Sequence, residues 1–290
     1  MEHERIALVT GANSGIGKIT AKELAKKGMR VLMVCRDARK GEVARNEIIT
    51  ESGNHRVDLL LCDLSDQESI VQLAGAIRSK YQHLDVLINN AGLIMEKRLT
   101  TPQGLEYTFA LNHLAPFLLT HLLLNQLRKG DDARVITVSS EAHRFARLDF
   151  SDLQSEKKYS SMRAYANSKL ANILFTRQLS SILKADGISA NCLHPGVVST
   201  NFGGSFQSGF AQMLLWLGRP FFISPEKGAE TSVFLASSPE VKGMTGLYFD
   251  KKKTKKPSES ALSQFNSQRL WDLSLELTKL EQRLNTMKEV

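Results

Sequence analysis

Tyr165 and Lys169 stand four positions apart at the head of a helix-period segment, Tyr165–Ala185, where residues i and i+4 are stacked neighbours. A phenol is a poor acid or base at neutral pH, with a reference pKa of about 10, unless something favours its charged form. A lysine ammonium one turn away does that. The pair could therefore pass a proton to or from an oxygen. A hydroxyl to polarise such an oxygen is available at Ser139 or Ser140, which end a strand-like run and point to opposite sides if the strand continues through them. The same tyrosine-lysine spacing recurs at Tyr248 and Lys252, but there the tyrosine ends a strand-like run and the lysine lies in a lysine cluster. Nothing holds that second pair on one face.

The first strand-like run, Ile6–Thr10, passes into Gly11-Ala12-Asn13-Ser14-Gly15-Ile16-Gly17 and then directly into a helix pattern. Glycines there permit a tight turn and let backbone N–H groups and the helix N-terminus approach a pyrophosphate. Strand before, helix after and a second strand ending about twenty residues on form the context of a dinucleotide site. The end of that second strand distinguishes the cofactors, because a carboxylate there suits a free ribose and repels a 2′-phosphate. Its first polar residue is Arg36, with Arg39 and Lys40 close by, which favours NADP; Asp37 follows at once and keeps NAD open.

In this glycine spacing the chain resembles the short-chain dehydrogenase/reductase family. Further matches follow in the family's order: Asn89-Asn90-Ala91-Gly92, Asn112 within a helix, Ser139-Ser140, Tyr165-Ala166-Asn167-Ser168-Lys169, and His194-Pro195-Gly196-Val197-Val198-Ser199-Thr200. The resemblance implies hydride transfer between a nicotinamide and a carbonyl or alcohol carbon, with Tyr165 as acid/base. It implies that Lys169 also bonds the nicotinamide ribose, that Ser140 rather than Ser139 polarises the carbonyl, and that Asn112 organises a proton-relay water. By the same resemblance Asp63 and Leu64 contact the adenine, Asn90, Ala91 and Gly92 pass the adenine-side ribose, and Pro195, Gly196, Val198 and Thr200 meet the nicotinamide. Asn112 could equally be a surface amide. His113 is expected to be packing or surface, and His194 to shape the turn before Pro195. Twenty-five positions separate Ser140 from Tyr165. That long interval, with Cys35-Arg36-Asp37 and Ser168-Lys169-Leu170-Ala171-Asn172, resembles the retinol dehydrogenase branch, which prefers NADP(H) and lipophilic aldehydes or alcohols.

The elements that must position these residues are legible as alternating patterns. Seven short apolar runs, Ile6–Thr10, Arg30–Cys35, Val57–Cys62, Val86–Asn89, Arg134–Ser139, Ile188–Leu193 and Leu247–Asp250, read as strands. Helix-period segments lie between them: Gly17–Lys27, Lys40–Glu51, Gln67–Lys80, Gly104–Lys129, Tyr165–Ala185 and Pro225–Ser237. Strands that read as continuous apolar runs are covered on both faces. The expectation is a single-domain α/β fold: a Rossmann-type, doubly wound, seven-stranded parallel sheet with helices on both faces, and its ligands at the strands' C-terminal ends. Residues 1–257 form the dinucleotide-binding catalytic domain, including an apolar, Gly- and aromatic-rich lid at 200–224. Residues 258–290 read as a helical extension docked on it through Leu262, Phe265, Leu270, Leu273 and Leu277.

Composition bounds the rest. With 290 residues and 42% hydrophobic content the chain suits one large core. Its net charge of +8 owes five charges to Lys251, Lys252, Lys253, Lys255 and Lys256, a run with no nucleic-acid motif around it, so a solvated loop is expected and no nucleic-acid partner. Three separated cysteines lack the spacing of a disulfide framework or zinc site, so no metal is expected and a reducing, cytoplasmic setting fits. No signal-like or membrane-spanning stretch is read. The whole points to a small, apolar carbonyl or alcohol as substrate, NADP as cofactor and a possible homo-oligomer. The competing readings are an NAD-dependent dehydrogenase of polar alcohols and a dinucleotide-binding sensor or scaffold with little turnover.

Overall fold

The computed structural model describes residues 3–196 and 223–286. Seven parallel strands, β1 (Ile6–Thr10), β2 (Arg30–Cys35), β3 (Val57–Leu61), β4 (Val86–Asn89), β5 (Arg134–Val138), β6 (Ser189–His194) and β7 (Tyr248–Asp250), form one sheet in the order β3-β2-β1-β4-β5-β6-β7. An eighth strand, β8 (Lys253–Thr254), adds antiparallel to β7. The expected sheet had seven strands and a solvated loop here. The difference arises because Lys251 and Lys252 both take positive φ, 50° and 64°, which closes a two-residue hairpin turn inside the lysine run.

Successive strand residues feed opposite cores. Leu8, Leu32, Leu87 and Val135 join the core under the helices α3 (Gln67–Lys80) and α5 (Ala115–Leu122). Ala7, Val9, Val31, Met33, Val86, Ile88 and Ile136 join the opposite core, under α1 (Gly15–Lys26) and α2 (Ala38–Ser52). Both faces are thus apolar, which is why the strands read as unbroken apolar runs rather than alternating ones. β1 pairs with β2 on one side and β4 on the other, so the winding reverses direction there. A crevice opens outside the C-terminal ends of these strands.

The expected helix 104–129 is a stack of shorter pieces: α4 (Tyr107–Phe109), a π-helical turn at Ala110–Leu114, then α5 and α6 (Leu124–Arg128). Helix α7 runs Ser161–Ile182, so Tyr165 sits in its second turn rather than at its start. Helix α8 spans Pro225–Ser237, and the tail folds as α9 (Glu259–Leu262), α10 (Gln264–Thr278) and α11 (Leu280–Thr286). Of the expected docking residues Leu270 is buried and Leu277 packs against the core, but Phe265 is 69% exposed. Trp271, overlooked in the periodicity, does that work by stacking on Phe175 at 6.1 Å. No helix among the described residues is long and apolar enough to cross a membrane.

Candidate active site

A cleft of about 770 Å³ lies at the C-terminal ends of β1, β2, β4, β5 and β6. Its floor is the turn between β1 and α1, with Gly11, Asn13, Ser14, Gly15, Ile16 and Gly17 all at its wall. At Gly17 packing leaves no room for a side chain: a Cβ there would stand 2.3 Å from the Gly11 carbonyl oxygen. Asn90 clamps the turn from β4, its side-chain amide donating to the Thr10 carbonyl at 2.8 Å. Helices α2 and α3 begin with an aspartate side chain accepting a first-turn amide, whereas Ser14 at the start of α1 makes no side-chain cap. The first amides of α1 therefore face the cleft without a capping side chain, which suits a phosphate.

At the far end of β2, Arg36 is two-thirds exposed, with its guanidinium 3.2 Å from the Tyr107 hydroxyl and 3.7 Å from the Asp63 carboxylate. Asp37 lines the cleft as well, but its carboxylate caps α2, Oδ1 accepting the Lys40 amide at 2.9 Å. Asp63, Leu64, Ala91 and Gly92 also line the cleft. So does Lys40, which sequence reasoning noted only as a neighbour of Arg36.

Ser140, Tyr165 and Lys169 meet at the opposite end, beside Pro195 and Gly196. The Lys169 ammonium lies 5.5 Å from the centre of the Tyr165 ring, so one helix face carries both. Lys169 is buried, and Nζ donates to the Val138 carbonyl at the end of β5, at 3.0 Å. Burial pushes its pKa down to about 8. Burial also pushes Tyr165 up to about 12, and the hydroxyl of Ser140 pulls the other way. Desolvation, and not the expected lowering by Lys169, thus sets the direction, and Tyr165 carries its proton at neutral pH.

The two serines separate as the pleat requires. Ser139 turns inward and spends its hydroxyl on the Lys169 carbonyl, at 2.7 Å. Ser140 accepts the Ala142 amide at 3.2 Å, which leaves its own proton free to donate toward Tyr165 or a ligand oxygen.

Asn112 is fully buried in the π-helical turn and is not a surface amide. Its oxygen accepts the Leu93 amide, and its nitrogen donates to the Leu93 carbonyl and to Ser168 Oγ, each at 2.9 Å. It therefore ties the strand β4 exit to α7, next to Lys169. His113 is packing, as expected, but it is also polar-bonded: Nε2 lies 2.9 Å from Ser274 Oγ on α10. Ser274 donates its proton to Leu270, so His113 must donate to Ser274. Burial drives His113 down to about 3, partly offset by Asn172, which itself reaches the Val138 carbonyl at 3.3 Å. Val138, Asn172 and Ser274 were not foreseen. Only the polar Asn172 and Ser274 among apolar helical neighbours could have signalled them. His194 meets the Glu141 amide at 3.4 Å, in keeping with a turn-shaping role. Val198, Thr200 and nearly all of the expected lid lie outside the described residues.

The second tyrosine-lysine match has different partners. Tyr248 donates to Glu141 at 2.7 Å, and Lys252 pairs with Glu230 at 3.0 Å.

Residues 5–209 match the short chain dehydrogenase family. The chain is 42% identical to human retinol dehydrogenase 11, over 95% of this chain and 86% of that protein. It is likewise 42% identical to mouse retinol dehydrogenase 12, over 96% and 87%. Among solved structures, a protein from Mycobacterium paratuberculosis superposes with a TM-score of 0.77 at 34% identity, covering 95% of this chain and 93% of that one. A Pseudomonas aeruginosa RhlG complex with NADP superposes with a TM-score of 0.68 at 28% identity, covering 84% and 93%.

Proposed function

The chain belongs to the short-chain dehydrogenase/reductase family and is an oxidoreductase, and from that premise we propose that it is NADP(H)-dependent and interconverts a lipophilic aldehyde or ketone with its alcohol. The observation that carries the proposal is the convergence of a protonated Tyr165, a Ser140 donor and the Lys169 ammonium at one end of a cleft that begins at a glycine turn.

The nicotinamide supplies or accepts the hydride. This chain's residues manage the oxygen. Ser140 donates a hydrogen bond to the carbonyl oxygen, and Tyr165 delivers its proton as negative charge gathers there. Both donors are held before the reaction begins, Ser140 by the Ala142 amide and Tyr165 by α7. Lys169 is anchored by Val138 and keeps two further N–H donors, one for the nicotinamide ribose and one for proton resupply. The relay to solvent passes Asn112, whose oxygen retains a lone pair after accepting the Leu93 amide. Pro195 and Gly196 would border the nicotinamide, and Asn90, Ala91 and Gly92 the adenine-side ribose.

Preference for NADP rests on Arg36 being exposed to the cleft while Asp37 is committed to a helix cap. A guanidinium held by one exposed ion pair and a hydrogen bond to the Tyr107 hydroxyl gives up little to receive a phosphate. Asp63 and Leu64, which line the cleft, would flank the adenine. For the substrate, Leu93 and Leu111 give the cleft apolar wall, and the relatives named as retinol dehydrogenases point the same way. Three free, buried cysteines suit a reducing, cytoplasmic compartment.

Two measurements test this. A nicotinamide-absorbance screen over apolar aldehydes, steroids and sugars should find turnover with the apolar carbonyls and none with sugars. In Arg36→Asp the NADPH:NADH affinity ratio should fall by roughly a hundredfold, the weight of one charge-assisted contact replaced by a repulsive one. An unchanged ratio would refute the phosphate assignment.

A further inference from the structure

A second polar cluster lies at the edge of the sheet away from the cleft. Asp85 immediately precedes β4 and has no exposed surface, a setting in which an ionised carboxylate is costly unless paired. Each of its oxygens accepts one backbone amide, Oδ1 from Asp131 at 2.7 Å and Oδ2 from Ile6 at 2.6 Å. The remaining approach to each oxygen is an imidazole: His3 Nε2 stands 2.7 Å from Oδ1 and His83 Nε2 3.5 Å from Oδ2. Among the described residues no lysine or arginine pairs with Asp85, and the nearby Glu4 carboxylate is held by Arg30 and Arg56. Among the described residues the side chains that meet this buried carboxylate are thus two that are metal ligands in their neutral form.

We propose that His3, His83 and Asp85 bind a divalent transition-metal ion, with zinc the one best suited to two imidazole nitrogens and a carboxylate oxygen. Their ligand atoms already lie within 4.8 Å of one another. Ligands at about 2.1 Å around a tetrahedral zinc ion stand about 3.4 Å apart, so the widest separation needs to close by roughly 1.4 Å. His3 can supply that movement, because it sits on the segment before β1 with its side chain 38% exposed. The two rings lie 4.5 Å apart, both turning Nε2 toward the same carboxylate. Zinc takes the place of the proton that His83 Nε2 shares with the Glu4 carbonyl, at 2.9 Å, and each ring then carries its hydrogen on Nδ1. Solvent completes the tetrahedron.

The position explains the use. Ile6 opens β1 and Val86 opens β4, so an ion on Asp85 fastens the N-terminal segment to two central strands at the end opposite the cofactor cleft. Its effect is on stability and not on hydride transfer. The ligands are separated by two and by eighty positions in the chain, a spacing with no zinc-motif signature.

The test uses full-length protein without a polyhistidine tag, stripped with EDTA and titrated with zinc chloride by calorimetry, alongside thermal denaturation and NADPH binding. Wild type should bind one equivalent, and its Tm should rise by about 5 °C at a hundredfold excess over Kd. His3→Gln and His83→Gln should each weaken zinc binding at least as much as losing an outer-shell partner does, roughly tenfold, with NADPH binding and turnover unchanged. Asp85→Asn also disturbs the Ile6 and Asp131 amides, so the histidine variants carry the test. Absence of zinc binding by wild type at submillimolar concentration would overturn the proposal. So would an equal Tm rise in both histidine variants, or loss of NADPH binding in step with zinc binding.

Discussion

Tyr165 with Lys169 and Tyr248 with Lys252 have the same residue types at the same spacing, and burial raises both phenols, yet the structure gives them different surroundings. On α7 the four-residue interval places phenol and ammonium on one face, at the mouth of a cleft. At the β7–β8 hairpin the same interval crosses a turn, and the two side chains find separate carboxylates. The Tyr248 proton is committed to Glu141, a carboxylate that also serves Arg144 and Lys255. Burial alone would raise Glu141, but bonds from Tyr248, Arg144 and Lys255 outweigh it and hold the group at about 2. The proposed acid role goes to the tyrosine at the cleft, not to the one whose proton a carboxylate holds. Spacing becomes informative only once the intervening backbone is known.

Substituting the lysines should separate the regions most sharply. If Lys169 has the proposed role, Lys169→Met is expected to lower kcat about a hundredfold or more, because the cation is lost. Lys252→Met removes an exposed pair and should leave kcat unchanged, with stability altered by less than about 1 kcal/mol. Comparable losses of kcat in the two variants would erase the distinction.

Titration should divide them next, in opposite directions. Lys169 has a folded pKa of about 8 against an ordinary 10.5, so the folded state loses this proton first. Between those values its contribution to stability grows with pH, while kcat/KM for carbonyl reduction falls above about 8 as the ammonium is lost. Glu141 is depressed from 4.5 to about 2, so its contribution is complete above 4.5 and disappears as pH falls toward 2. Denaturation curves for Lys169→Met should lack the alkaline trend and those for Glu141→Gln the acid one.

The smallest effect is expected at Tyr248→Phe, which removes one charge-assisted hydrogen bond and should cost about 1–2 kcal/mol, read as a lower denaturation midpoint with normal turnover. A loss of turnover there would give the hairpin a role in chemistry.

Much of this was readable before any coordinates, for identifiable reasons. Ile6–Thr10, Arg30–Cys35 and Val86–Asn89 are buried on both faces, so their apolar runs begin and end where the strands do. The glycine turn and the Tyr165–Lys169 face follow from local geometry. What local patterns could not carry was decided by partners distant in the chain. Asp37 looked as fit for a ribose as Arg36 for a phosphate until its carboxylate was found on the Lys40 amide. Ser139 and Ser140 could not be told apart until one reached the Lys169 carbonyl. The π-helical turn that buries Asn112 has an apolar pattern like any helix, and β8 hid in a run of lysines whose turn needs positive φ at two residues not known for it.

The central claim is that Tyr165 is the proton donor, and turnover of Tyr165→Phe beside Tyr248→Phe tests it most directly, with NADPH binding measured on both. Tyr165→Phe should bind NADPH normally and lose about a thousandfold in kcat, while Tyr248→Phe keeps wild-type turnover. Turnover in Tyr165→Phe within tenfold of wild type, with cofactor bound, would contradict the assignment.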